Sequence, residues 1–231
     1  MFDRLSRALR RAKPEPVAPT LAGRLASYPP YDAPHVGWGR AITLAQAEEN
    51  LAHLKTVLPQ RLAVVGQLLH DDAGIDIEPA LAAPMEQGPV LAGVLNRWAG
   101  ERWPALHARR FALDHWLASA RAGVDIAYSL ALDVALLLGE LIVRGNPAWR
   151  WNIDRDKKNL REGMASARRL VLLADPVGGE SWPFVLDVED VVVNRLLTID
   201  HLNETLTRMD NWRRMVEDSL RGVTRGDTTY L

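Results

Sequence analysis

The longest apolar run in the chain, Ile126 to Val143 in "IAYSLALDVALLLGELIV", carries two carboxylates, Asp133 and Glu140. A helix of that length could reach across a bilayer, but a carboxylate near the bilayer centre costs about 2.5–3.5 kcal/mol on insertion scales. The run therefore reads as a helix from Val124 to Arg144 that lies in a protein core, with the remaining elements packed around it.

Asp133 and Glu140 stand seven positions apart, about 20° short of two full turns, so they share a helix face; Asp125 lies about 80° away from Asp133. Ionised carboxylates in apolar surroundings need cations or N–H donors to meet them. Arg144, at i+4 from Glu140, is the nearest cation. The stop at Gly145-Asn146-Pro147 lets the chain turn back, so that Trp149, Arg150 or Trp151 can offer an indole N–H or a guanidinium. Glu140, Asp133, Arg144, Trp149 and Trp151 are thus expected to form a structural tie between the central helix and the first strand. The competing reading takes Asp125, Asp133 and Glu140 as a catalytic or metal-binding set. Helical di-metal proteins repeat Glu-x-x-His across several helices, and this chain has no such motif. Its histidines, His35, His53, His70, His107, His115 and His201, show neither HExxH nor close paired spacing. No catalytic, cofactor-binding or metal-ligating residue is therefore expected, and an enzyme or metal protein built on the Asp133 and Glu140 face stands as the alternative.

The chain has 231 residues, 48% of them hydrophobic, enough for one sizeable core. Lys and Arg total 28 against 29 Asp and Glu, so no overall field attracts polyanions and nucleic acid is not an expected partner. The absence of cysteine excludes disulfides and thiolate chemistry and fits a reducing cytoplasm. No secretory h-region opens the sequence. Met1 to Lys13 places Phe2, Leu5 and Leu9 near one helical face among arginines, and "PEPVAP" ends any helix there. At that length an isolated helix is marginal in water, so residues 1–20 read as a basic tail and Pro-rich linker, with membrane contact through residues 1–13 as the weaker alternative. One mainly helical domain is expected from 21 to 231.

Within that domain "SYPPYDAPHVGWG" is too rich in proline and glycine for a regular helix and is expected to pack across the surface. Thr43 with Gln46 makes a capping-box pattern, followed by apolar residues at helical spacing to His70 with a break or kink at Pro59. "AGIDIEPALAAP" reads as a loop and short turn, and Val90 to Trp98 and Arg109 to Ala120 as further helices. "AWRWNI" alternates like a strand, and "RRLVLLAD" is a short apolar strand ended by Asp-Pro. A charged loop, Asp154 to Ala167, joins them. From the Asp187 cap, Val191, Leu196, Ile199, Leu202, Leu206, Met209, Val216 and Leu220 follow a 3.6-residue rhythm that predicts one long C-terminal helix. The fold class is mainly α, or α+β, with a small two-stranded β element.

Other motifs are weak. "VGGESW", Val177 to Trp182, matches neither a phosphate-binding loop nor a nucleophile elbow and reads as a surface turn. "RWAGERWPALHARR" interleaves tryptophan with arginine, but tryptophans at that spacing are more often core anchors than stacking platforms.

The order of "GIDIEPALAAP", a long apolar helix ending in Gly139-Glu140, a Trp-bearing strand and then "WPFVLDVEDVVVNRL" resembles a broad group of bacterial domains of unknown function. Some of these are similar to immunity proteins encoded beside delivered toxins. The resemblance spans roughly Ile75 to Leu196, departs from the group at the charged insert between the strands, and implies no catalytic residue. What it implies is a bacterial cytoplasmic protein-binding protein, an immunity or accessory protein, whose partner is a toxin or another protein. Interface hot spots are enriched in Trp and Arg. Trp38, Arg97, Trp103 and Arg155, aromatic or cationic groups outside the periodic core pattern, are the expected contacts.

Overall fold

The computed structural model describes residues 19–106, 113–175, 184–197 and 200–222. The tail at 1–18, the whole of "VGGESW" and the start of the expected Arg109 helix lie outside them.

The chain enters through a short helix, α1 (Leu21–Leu25), whose Thr20 hydroxyl accepts from the Gly23 N–H. A non-helical strap follows, from Ala26 to Thr43, broken only by a single 3₁₀ turn at Gly39–Ala41. Thr43 then caps α2 (Leu44–Ala73) with the full capping box: the Thr43 side chain accepts from Gln46 N–H and the Gln46 amide oxygen accepts from Thr43 N–H. Pro59 does not break this helix. It lies on the solvent face, where the carbonyl that its missing N–H leaves open is not sealed in the core, while Leu54, Leu62 and Val65 hold the opposite face there. Gly74 ends α2 in the left-handed conformation, φ 65°, and its N–H returns to the His70 carbonyl.

Two proline-started helices follow, α3 (Glu78–Ala82), where a loop and turn were expected, and α4 (Pro84–Arg102). Helix α5 (Leu113–Ala118) leads to the central helix, α6 (Ile126–Gly145). Every residue of α6 from Ala127 to Ile142 is buried. The stretch Gly123–Gly145 is long and apolar enough to cross a membrane, and 89% of its most apolar window is enclosed by the rest of the fold, the place expected of a core helix.

Strand β1 (Trp149–Ile153) pairs antiparallel with β2 (Leu170–Ala174), Trp151 opposite Leu172. The charged connection holds a helix of its own, α7 (Lys157–Glu162), started by the Asp156 carboxylate on Lys158 N–H and stopped by Gly163 at φ 70°. A third strand, β3 (Phe184–Leu186), pairs with the free edge of β2. The sheet is therefore three-stranded, not two: "PFVL" is too short to show alternation, and it becomes a strand because β2 offers it an unpaired edge.

The expected long C-terminal helix is divided at Asp210: α8 (Val188–Leu197) and α9 (Asp200–Met209), with 198–199 outside the described residues between them, come before it, and α10 (Asn211–Arg221) after it. Asp210, at φ 50°, turns the chain between the last two, and Asn96 Nδ2 donates to the Thr207 carbonyl and to Asp210 Oδ1 at 3.2 and 3.3 Å. A straight helix of that length would run about 50 Å and could not serve two surfaces. Divided, α8 packs on α6 and α10 packs on α4. One apolar cluster runs from Leu21 through α4, α6 and α8 to Leu220, with Trp98, Trp103 and Trp212 stacked edge to face at its centre.

Candidate functional site

The carboxylates of the core come first, because their partners decide whether they are free for chemistry. Asp133 is fully enclosed. Arg61, from the middle of α2, meets it as a two-pronged pair, Nε to Oδ1 at 2.8 Å and Nη2 to Oδ2 at 2.5 Å. The Tyr28 hydroxyl donates to Oδ2 at 2.6 Å. Arg61 spends its other donors on the Pro29 and Pro30 carbonyls, at 3.0 and 3.2 Å, and lies over the Tyr28 and Tyr31 rings. One ion pair thus fastens the strap to both α2 and α6. Glu140 answers to different groups: Arg144 Nε at 3.1 Å and Trp151 Nε1 at 2.9 Å. Trp149 turns instead to the Ser219 carbonyl at 3.1 Å. The two acids share a helix face but no common ligand space.

A second buried network was not visible in the sequence. Glu189, at the start of α8, accepts from Trp116 Nε1 at 3.0 Å, from Arg169 Nη2 at 2.7 Å and from Arg121 Nη1. Arg169 also donates to Asp187 Oδ2 at 2.7 Å and stacks over the Trp116 ring, 4.4 Å from its centre. Burial by itself would raise the Glu189 carboxyl, but Arg121 and Arg169 outweigh it and hold it at about 2. At Asp187 burial wins over Arg169, with like charge from Asp190 and Glu189 adding to it, and the carboxyl is pushed up to about 6. A carboxyl raised on folding binds its proton more tightly in the folded chain, so its contribution to stability falls as pH rises from the ordinary Asp range to about 6. Asp187→Asn is expected to remove that slope. In urea unfolding between pH 4 and 7, the stability of the natural chain relative to the variant should rise as pH falls, by up to about 1.4 kcal/mol per unit inside that window. A difference that stays flat would contradict the assignment.

Among the described residues, no three His, Asp or Glu side chains converge as a metal site would require. His115 and Ser119 both bond Asp125, at 2.9 and 3.0 Å, an arrangement that orients neither as base to the other.

Two depressions lie along the strap. Its middle is pinned down: Tyr31 N–H to Ser129 Oγ at 2.8 Å, His35 to Asn50 by a reciprocal pair, Gly39 N–H to the Ala167 carbonyl at 2.8 Å, and Arg168 Nη1 to the Gly39 and Ile42 carbonyls. On one side of it is a small polar cavity of about 60 Å³, lined by Tyr31, Asn50, Arg121, Arg168, Arg169 and Glu189 among others. Arg121 and Arg168 both hold left-handed backbone, φ 57° and 58°, a conformation costly for a non-glycine residue and one that clusters at functional sites. On the other side is an open groove of about 420 Å³ between the strap and α7, with Trp38, Ala41 and Leu160 in it and Arg40, Arg161 and Glu162 at its rim.

Of the four expected partner contacts, Trp38 lines this groove. Arg155 is exposed nearby but spends itself on Asn152 Oδ1 and Glu48 Oε1, at 2.9 and 3.2 Å. Arg97 is exposed on α4, outside both depressions. Trp103 is 4% exposed and packs between Trp98 and Trp212, so it serves the core and presents no ring face to a partner. Arg40, Arg121, Arg161 and Arg168 were missed; nothing in their spacing separates them from ordinary surface arginines.

The molecule is thus a mainly α protein with a small antiparallel sheet and a strap that carries two depressions. Comparison with protein families, with curated proteins and with solved structures finds no match to this chain.

Proposed function

We propose that the protein works by binding another protein, through the face that the strap and α7 make together. The observation that carries this reading is the groove around Trp38, which Ala41 and Leu160 line together with Glu162 and two exposed arginines, Arg40 and Arg161. Aromatic and arginine groups in that arrangement are what interface hot spots use, and the cationic rim fits an acidic surface on the partner. The alternative, acid–base or metal chemistry at Asp133 and Glu140, would need carboxylates that can change partners. Asp133 already holds Arg61 and Tyr28 in full enclosure, and Glu140 holds Arg144 and Trp151. A bacterial cytoplasmic setting, with a toxin as the partner that the resemblance nominates, belongs to the same reading.

The test is capture from lysate of the source cells by the tagged full-length protein, at moderate salt, with three baits compared. The natural chain and Arg97→Glu should retain one stoichiometric partner, and Arg40→Glu with Arg161→Glu should lose at least about tenfold, since reversed charges at an interface oppose binding. Equal capture by all three baits, or capture of no partner by the natural chain, would overturn the assignment of this face.

A further inference from the structure

We propose that the small cavity beside the strap is a binding site for a single carboxylate group. The Tyr31 hydroxyl is the first reason. Tyr31 is 4% exposed and lines the cavity, and its hydroxyl has no hydrogen-bond partner among the described residues, although a buried polar group without one is costly. Burial, the largest influence on it, pushes the phenol well above the usual tyrosine range, so it keeps its proton and can donate.

The second reason is the arginines. Each guanidinium carries five N–H donors in a fixed fork. The bonds that Arg121 and Arg168 make all use Nη1: to Glu189 and the Tyr128 carbonyl for the first, to the Gly39 and Ile42 carbonyls for the second. Among the described residues nothing accepts from their Nε and Nη2 donors, and both side chains line the cavity.

Charge and size set the ligand class. Arg121, Arg168 and Arg169 line the cavity with one carboxylate, Glu189, while Asp187 and Asp190 act on Arg169 from outside the lining, so the cavity wall between Arg121 and Arg168 leaves room for one negative charge. His35, also in the lining, is already paired with Glu49 at 2.5 Å. A dianion such as phosphate would bring excess charge beside Glu189, so a monoanion fits better. A cavity of about 60 Å³ has room for about four to six water-sized atoms, which matches a carboxylate with its adjoining carbon. That group can come from a free small acid or from an acidic side chain of a docked protein.

The test needs no partner protein. The full chain, labelled with ¹⁵N, is titrated with sodium acetate to about 100 mM against sodium chloride of equal ionic strength, following the arginine Nε–H signals. Saturable shifts at Arg121 and Arg168 in acetate alone are expected. Tyr31→Phe removes only an unpaired hydroxyl, so it should fold as stably as the natural chain and bind acetate about tenfold more weakly. N-acetyl-aspartate amide separates the sources: if it shifts the same signals, the mouth admits a partner's side chain, and if acetate alone does, the ligand is a free small acid. No saturable shift in the natural chain, or equal affinity in Tyr31→Phe, would mean that the cavity holds water only and would overturn the proposal. Failure here leaves the capture result at the groove standing, and the reverse.

Discussion

Gly139→Ala is expected to destabilise the protein by about 3 kcal/mol, lowering the thermal midpoint by roughly 6–12 °C for a chain of this size. Gly139 lies where α6 passes under β1, and a Cβ there would overlap the six-membered ring of Trp151. The ring cannot simply step aside. Its Nε1 is bonded to Glu140, one residue along the same helix, and its strand is fixed by pairing with β2. Either the helix moves off the sheet or Trp151 swings out and leaves Glu140 half-buried with Arg144 alone. Differential scanning calorimetry of the single variant measures the cost. A midpoint within about 2 °C of the natural chain would mean that the contact between helix and strand is loose.

The second large effect belongs to Arg61. Replacing it by alanine should cost about 3–5 kcal/mol, because Asp133 would then be a fully enclosed carboxylate with only Tyr28 to meet it, and the strap would lose its hold on Pro29 and Pro30. Arg61→Leu with Asp133→Leu removes both charges together. Since apolar replacement of a buried ion pair is often neutral or stabilising, the double variant should recover most of that loss. Urea unfolding of the two singles and the double yields the coupling energy directly. Near-additive losses would show that the pair does not act as a unit.

These two sites also mark what could be read from the sequence. The neighbourhood of Glu140 is local: Arg144 is one turn away and Trp151 follows a Gly-Asn-Pro stop, so helical spacing and turn chemistry bring the groups into view. The Thr43 and Gln46 cap and the alternation at Trp149 to Ile153 are local in the same way. Asp133 is different. Its cation lies 72 residues away in "PQRLAVV", where an arginine on an amphipathic helix looks like any solvated one. The Glu189, Arg169, Arg121 and Trp116 network joins three separate segments, and no spacing rule reaches across them. The third strand and the turn at Asp210 were hidden for a related reason. Both are imposed by neighbours, the open edge of β2 and the surface of α4, against a local pattern that favours neither. Trp103 shows the converse error, since a tryptophan outside the periodic pattern can still be the centre of a core.

We propose a division of labour in which the acids of the central helix hold the fold while the strap face meets the partner. It is tested most directly by one comparison: capture of the partner by the Arg61→Leu with Asp133→Leu chain beside capture by the Arg40→Glu with Arg161→Glu chain, both first shown by circular dichroism to be folded. The chain without the buried pair is expected to bind within about threefold of the natural protein, and the charge-reversed chain to lose the partner. Loss of binding in the first with retention in the second would contradict it and return the central carboxylates to the centre of the function.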